Sequence, residues 1–132
     1  MTDRGSPDQG PLGGDSRGLA RVSVSEHGGT MVVSVTGEID LSNIARVAEA
    51  IFAQPNTGDG LIVDLAGVGY LDSTAVSLLH DVAMRLRQRA QQLVVISPAG
   101  SPPRRVLELT ALHVNAPLAE DLGSALALIR QG

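Results

Sequence analysis

The chain has 132 residues, of which 43% are hydrophobic, so it can build one core and one domain. Its formal net charge of −4 excludes a general electrostatic attraction to nucleic acid or anionic lipid, and the absence of cysteine and lysine excludes disulfides, thiolate catalysis and lysine chemistry. No apolar run approaches the roughly 18 residues of a membrane-spanning helix. We therefore expect a cytoplasmic domain that neither binds nucleic acid directly nor inserts into a membrane.

The N-terminal residues differ in composition from the rest of the chain. Residues 1–18 contain five glycines, two prolines and a single leucine. Such a segment buries too little apolar surface to offset the entropy that ordering removes. We expect a flexible tail over residues 1–18 and a folded domain over residues 19–132.

The first part of the folded domain predicts a β-hairpin followed by a helix. In ARVSVSE, Val22 and Val24 alternate with polar residues, and TMVVSVTG follows after the turn signal HGG. The stretch DLSNIARVAEAIFAQ has apolar residues at helical spacing, with Asp40 or Ser42 available as the N-cap. Its apolar positions are Ile44, Val47, Ala48, Ile51 and Phe52.

Two apolar strands with a helix between them come next. The runs GLIVDLAG and QLVVIS are typical of strands that are covered on both faces. Between them, residues 73–89 carry an apolar stripe at helical spacing, which predicts a second helix. The stripe consists of Val76, Leu79, Val82, Ala83 and Leu86.

The C-terminal third predicts two more helices. SPPRRVLELTAL starts with Ser101 as a cap and two prolines in the first turn, where a missing N–H is tolerated. After a short extended piece, AEDLGSALALIR has acidic residues early and Arg130 late, which suits the helix dipole. The element order indicates an α/β fold, with a mixed, mostly parallel sheet of four or five strands flanked by about four helices.

The sequence gives little support for an enzyme or a metal site. His27, His80 and His113 lack the H-x-x-x-H and H-E-x-x-H spacings of metal ligands. Ser73 follows a strand, as hydrolase nucleophiles do, but its flanks are not Gly-x-Ser-x-Gly and the chain is short for a hydrolase sheet. We expect no catalytic residue, no metal and no cofactor.

The polar triplet Asp72, Ser73 and Thr74 stands between a buried strand and a helix. One such residue suffices as an N-cap, which is worth about 1 kcal/mol. Three capping-type residues exceed that need, and they lie at the carboxyl end of a central strand, where open α/β sheets usually carry their sites. The residues alone leave two alternatives open, a helix cap or a functional site.

Three stretches in order resemble the STAS domains of anti-sigma factor antagonists. VTGEIDLSNIARV contains the family's Gly-Glu-Leu/Ile-Asp at residues 37–40, and LIVDLAGVGYLDSTAVSLL contains its Asp-Ser-Ser/Thr at residues 72–74. VVISPAGSPPRRVLELTAL completes the pattern, and the resemblance spans about residues 19–130. Ala75 stands where the family usually has glycine.

The resemblance implies a non-enzymatic regulator that acts by partner switching. In this family an anti-sigma factor that is also a serine kinase phosphorylates the serine after that aspartate, and a serine phosphatase reverses the reaction. The unmodified form binds the anti-sigma factor and frees the sigma factor. Carried over, Ser73 is the phosphorylation site, and Asp40, Asp72, Ser73 and Thr74 form the partner-binding surface.

The family also implies an alternative function. Some STAS domains are not phosphorylated and serve as scaffold components or as subunits of lipid-transport ABC complexes. Such an interaction module would use the same face without phosphate chemistry.

Overall fold

In the part of the chain that the structure describes, a five-stranded mixed sheet is flanked by four helices, as the sequence predicts. The computed structural model describes residues 20–55 and 58–131, and the predicted tail at residues 1–18 lies outside them. The strands are β1 (Arg21–His27), β2 (Thr30–Ile39), β3 (Gly60–Leu71), β4 (Gln92–Ile96) and β5 (Leu118–Ala119). The helices are α1 (Ile44–Phe52), α2 (Ser73–Arg87), α3 (Pro102–Leu109) and α4 (Leu122–Gln131), with a 3-10 turn over Leu112–Val114.

The strands lie side by side in chain order. The first pair, β1 and β2, is the predicted antiparallel hairpin, and the three other neighbouring pairs are parallel. Helices α1, α2 and α3 make the crossover connections between successive parallel strands. The carboxyl ends of parallel strands meet at one edge, so the residues that follow β2 and β3 lie next to each other.

The sheet separates two apolar cores. The larger core contains residues of the central strands, such as Val33 and Val63, packed with residues of α1, α2 and α3. The alternate residues Val32 and Ile62 face the other way and pack with α4. Because successive side chains of a strand point to opposite faces, the continuous apolar runs of β3 and β4 fill both cores.

The first helix departs from the prediction at its end. Val47 and Ile51 are buried, but Phe52 is 44% exposed and its ring lies beneath the Arg85 guanidinium, 4.7 Å from carbon to ring centroid. The last apolar position of the predicted stripe thus lies at the surface, under the charged group of an α2 arginine.

The backbones of β3 and β4 approach each other closely at the start of β3, and this contact allows a test of the register between the two strands. A Cβ at Gly60 would lie 2.0 Å from the carbonyl oxygen of Gln92, its partner on β4, whereas a Cβ at Gly69 would meet no atom within 4 Å. We expect Gly60→Ala to lower the free energy of unfolding by about 1–3 kcal/mol or more, because β4 must shift. Gly69→Ala, the control in the same strand, should change it by less than about 0.5 kcal/mol. Urea denaturation measures both, and equal midpoints would contradict this register.

Candidate functional site

The junction between β3 and α2 is built around the Asp72 side chain. Asp72 has an extended backbone, with φ −101° and ψ −174°, and it is the N-cap of α2. Its Oδ1 atom accepts hydrogen bonds from the backbone N–H groups of Thr74 at 3.0 Å and Ala75 at 3.2 Å, and from the Thr74 hydroxyl. Of the three predicted capping-type residues, it is therefore Asp72 whose side chain caps the helix, by accepting from two N–H groups of its first turn.

The same carboxylate fastens the end of β2 to the start of α2. Its second oxygen, Oδ2, accepts a hydrogen bond from the backbone N–H of Leu41 at 3.1 Å. The backbone N–H of Asp72 donates to the carbonyl of Ile39 at 3.1 Å, which extends the pairing of β2 with β3 by one step. Two segments 31 residues apart in sequence are thus joined at one side chain.

The turn after β2, residues 40–43, is closed by its own polar groups. The Asp40 carboxylate accepts from the Ser42 N–H at 2.9 Å and from the Ser42 hydroxyl. The Asn43 side chain accepts from the Asp40 N–H at 3.1 Å and donates to the Glu38 carbonyl at 2.8 Å. With 6% exposure, Asn43 is a buried polar residue whose amide holds the turn in shape.

These contacts correct the predicted cap of α1. Asn43 occupies the N-cap position, and Asp40 and Ser42, the residues predicted for it, lie in the preceding turn. The Asp40 carboxylate bonds the N–H two residues on, as in an Asx-turn, instead of reaching the helix. Sequence reasoning missed Asn43, although asparagine directly before an apolar helical stripe is itself a capping signal.

The hydroxyls of Ser73 and Thr74 have different environments. Thr74 is half-buried, and its hydroxyl donates to Asp72. Ser73 is exposed as the first residue of α2, and its hydroxyl makes no hydrogen bond to any residue in the described ranges. The Ser73 oxygen is therefore the accessible nucleophile of the pair.

The alanine that replaces the family's usual glycine does not obstruct Ser73. Ala75 is 2% exposed and belongs to the larger core, so its methyl group packs inward, away from solvent. Its N–H still donates to Asp72. A side chain at this position is compatible with both the cap and an open Ser73 hydroxyl.

The environment of Asp72 favours its charged form. The Thr74 hydroxyl and the N–H groups of Ala75, Thr74 and Leu41 donate to the carboxylate and hold its pKa below 3.8, against the opposing effect of partial burial. At neutral pH the site therefore has an ionised Asp72 at the helix N-terminus, with Asp40 on the adjacent turn. In the described part of the chain, no group of three or more histidine or acidic side chains could hold a metal ion.

Polar groups in the segment after β4 are bonded to one another. After β4, Arg104 donates to the Ser97 carbonyl at 2.7 Å and pairs with Glu120 at 2.9 Å. Glu120 in turn accepts from the Ala99 N–H at 3.0 Å, and the Ser101 hydroxyl donates to the Pro98 carbonyl at 2.7 Å. The residues Asp40, Asp72, Ser73 and Thr74 come together at the ends of β2 and β3.

Family membership follows from three comparisons. The family model described as Mlab, STAS domain matches residues 22–120, which include the turn after β2 and the start of α2. The anti-sigma-F factor antagonist RsfB of Mycobacterium tuberculosis is 33% identical over 112 residues, which cover 84% of this chain and 90% of that protein. The anti-sigma-B factor antagonist of Listeria monocytogenes is 36% identical over 83 residues, covering 61% of this chain and 70% of that protein.

A solved structure agrees with these sequence matches. The crystal structure of an anti-sigma factor antagonist from Mycobacterium paratuberculosis has a TM-score of 0.75 and 30% identity, and the match covers 85% of this chain and 95% of that one. The resemblance that the three sequence stretches indicate is confirmed. No helix among the described residues is both long and apolar enough to span a membrane. The chain belongs to the STAS-domain family.

Proposed function

We propose that this protein is an anti-sigma factor antagonist that works by partner switching. The form with unmodified Ser73 binds an anti-sigma factor, and a phosphate on Ser73 ends that binding. The observation that carries the proposal is the Ser73 hydroxyl, which is exposed and unbonded within the described chain at the first turn of α2. The relatives in Mycobacterium tuberculosis and Listeria monocytogenes, which are anti-sigma factor antagonists, support it.

The position of Ser73 suits a modification that changes binding and leaves the fold intact. A phosphate adds about −1.5 to −2 charges, and the N-terminus of a helix tolerates an anion because its dipole and N–H groups favour negative charge. In the free domain, water also screens this charge from Asp72 and Asp40. The modified domain should therefore stay folded.

The same charges act differently in a complex. Asp72 is ionised and Asp40 lies on the turn that Asp72 holds in place. A partner that covers this surface removes water from both carboxylates. An added phosphate is then repelled by these carboxylates in a low-dielectric environment, where the repulsion is strong. Like charges brought together in an interface cost several kcal/mol, which is enough to end binding.

The proposal includes the enzymes and the compartment that the mechanism needs. A serine kinase, which in this family is the anti-sigma factor itself, would modify Ser73, and a serine phosphatase would restore it. The protein itself would have no enzymatic activity and would act in the cytoplasm, where sigma factors act. The alternative, a STAS interaction module of a scaffold or a lipid-transport complex, would bind its partner through the same face without modification.

The Ser73 variants test the switch. We expect Ser73→Ala to bind the anti-sigma factor like the unmodified chain and to resist the kinase, whereas Ser73→Glu and the phosphorylated chain should bind at least about a hundredfold more weakly. Ser124→Glu is the matched control, because Ser124 is an exposed serine in the first turn of α4 with its N–H bonded to Asp121. Titration calorimetry measures the affinities, and intact mass after incubation with kinase and ATP reports the modification.

Two results would contradict the switch. Equal affinities of Ser73→Ala and the phosphorylated chain would show that the phosphate does not control binding. A partner that binds the unmodified chain while no candidate kinase modifies Ser73 would favour the constitutive interaction module.

Substitutions of the proposed interface residues should weaken the affinity for the anti-sigma factor more than they lower the free energy of unfolding. Asp40→Ala and Thr74→Ala each remove a side chain from the surface beside Ser73, yet neither residue belongs to the apolar cores. We expect about a tenfold or greater loss of affinity for each, with unfolding free energies lowered by no more than about 1 kcal/mol. Calorimetry and urea denaturation on the same samples compare the two effects. A binding surface that maps instead to Leu126 on α4 would contradict this placement.

Asp72 should stabilise the fold in a pH-dependent way. Its folded pKa lies below its ordinary value of 3.8, so its contribution is fully present above about pH 5 and is lost as the pH falls through the folded pKa. Asp72→Asn keeps an oxygen acceptor but cannot ionise, so it should be less stable than the wild type at pH 7. The difference in the free energy of unfolding between the wild type and this variant should shrink steadily below about pH 4. Urea denaturation from pH 7 to 3 measures it, and a constant difference would contradict the assignment.

A further inference from the structure

Leu41 is a large apolar side chain that the fold leaves in solvent. It is 75% exposed, whereas Ile39, two residues earlier, is 3% exposed and belongs to the larger core. The turn that carries Leu41 is closed by the side chains of Asp40 and Asn43 and by backbone groups. The Leu41 side chain takes no part in these hydrogen bonds, so a polar residue at this position would serve the turn equally well.

The backbone of Leu41 is nevertheless held in place. Its N–H donates to Asp72 Oδ2 at 3.1 Å, which puts the residue beside the first turn of α2. The hydrogen bonds of Asp40 and Asn43 fix the turn on both sides of it. An exposed apolar group on a preorganised backbone loses little further conformational entropy when a partner covers it.

We propose that Leu41 is the apolar anchor of the interface with the anti-sigma factor. This inference rests on the proposed function and adds the chemistry of the partner surface. The surface of the anti-sigma factor has an apolar pocket for Leu41, and basic or N–H groups around this pocket pair with the carboxylates of Asp40 and Asp72. Burying the exposed surface of a leucine in an interface increases the affinity roughly 10- to 100-fold, which is typical of an anchor at the centre of an interface.

A second exposed leucine provides a matched control. Leu109 is 74% exposed, but it lies at the C-terminal end of α3. That helix follows β4, whose pairing with β3 ends at Asp64, whereas the pairing of β2 with β3, which leads to Leu41 and Ser73, continues to Leu71. The two leucines have the same chemistry and exposure and differ in position.

The experiment compares Leu41→Ser with Leu109→Ser in the full chain. The probe is the purified anti-sigma factor that binds the wild-type chain in the Ser73 experiment, and titration calorimetry measures the dissociation constant. We expect Leu41→Ser to raise it at least about tenfold and Leu109→Ser to change it less than about twofold, with unchanged unfolding midpoints for both. Leu41→Met should restore most of the affinity, because it keeps an apolar side chain of similar volume.

The possible failures separate this inference from the proposed function. If the wild type binds, Ser73→Glu does not, and Leu41→Ser binds like the wild type, Leu41 is no anchor and the switch still stands. Loss of affinity together with an equal loss of stability, without rescue by Leu41→Met, would also overturn the anchor. If the wild type binds none of the purified anti-sigma factors of its organism, the proposed function is overturned, and the anchor with it.

Discussion

The geometry of the site depends on one carboxylate, that of Asp72. Oδ1 completes the first turn of α2, and Oδ2 holds the turn after β2 through the Leu41 N–H. The parallel pairing of β2 with β3 brings these segments to the same edge, but the pairing itself ends where Asp72 donates to the Ile39 carbonyl. Beyond that point the Asp72 side chain joins the turn to the helix, and α1 and α2 pack in the shared larger core.

Much of this arrangement follows from the sequence because it depends on local patterns. The period of two in the first hairpin, the continuous apolar runs of β3 and β4 and the helical stripe of α2 each specify an element and the faces that it buries. The parallel topology then places Asp40 and Asp72 together, although 31 positions separate Leu41 from Asp72. Sequence reasoning could therefore predict that these residues lie together, since the residues after two adjacent parallel strands lie at one edge.

The remaining features depend on contacts between distant segments. Phe52 has the spacing of a core residue, yet Arg85 of α2 covers its ring at the surface. Asn43, Asp40 and Ser42 are all good capping residues, and only the complete turn decides that Asn43 takes the N-cap position. Ser73 and Thr74 are chemically alike in sequence, and the side-chain orientations determine which hydroxyl Asp72 engages.

That division between the two hydroxyls allows a helix cap and the proposed regulatory site to share one turn. The cap already satisfies the N–H groups of Thr74 and Ala75 through Asp72, so the fold has no need of the Ser73 oxygen. A group added to that oxygen enters solvent beside a helix dipole that favours negative charge, and no core residue has to move. Were Ser73 itself the cap, modification would remove a stabilising contact and couple regulation to unfolding. Because the neighbouring aspartate performs the structural task, the phosphate that we propose on Ser73 would change the charge of the surface without removing a contact of the fold, and it would act where a partner excludes water.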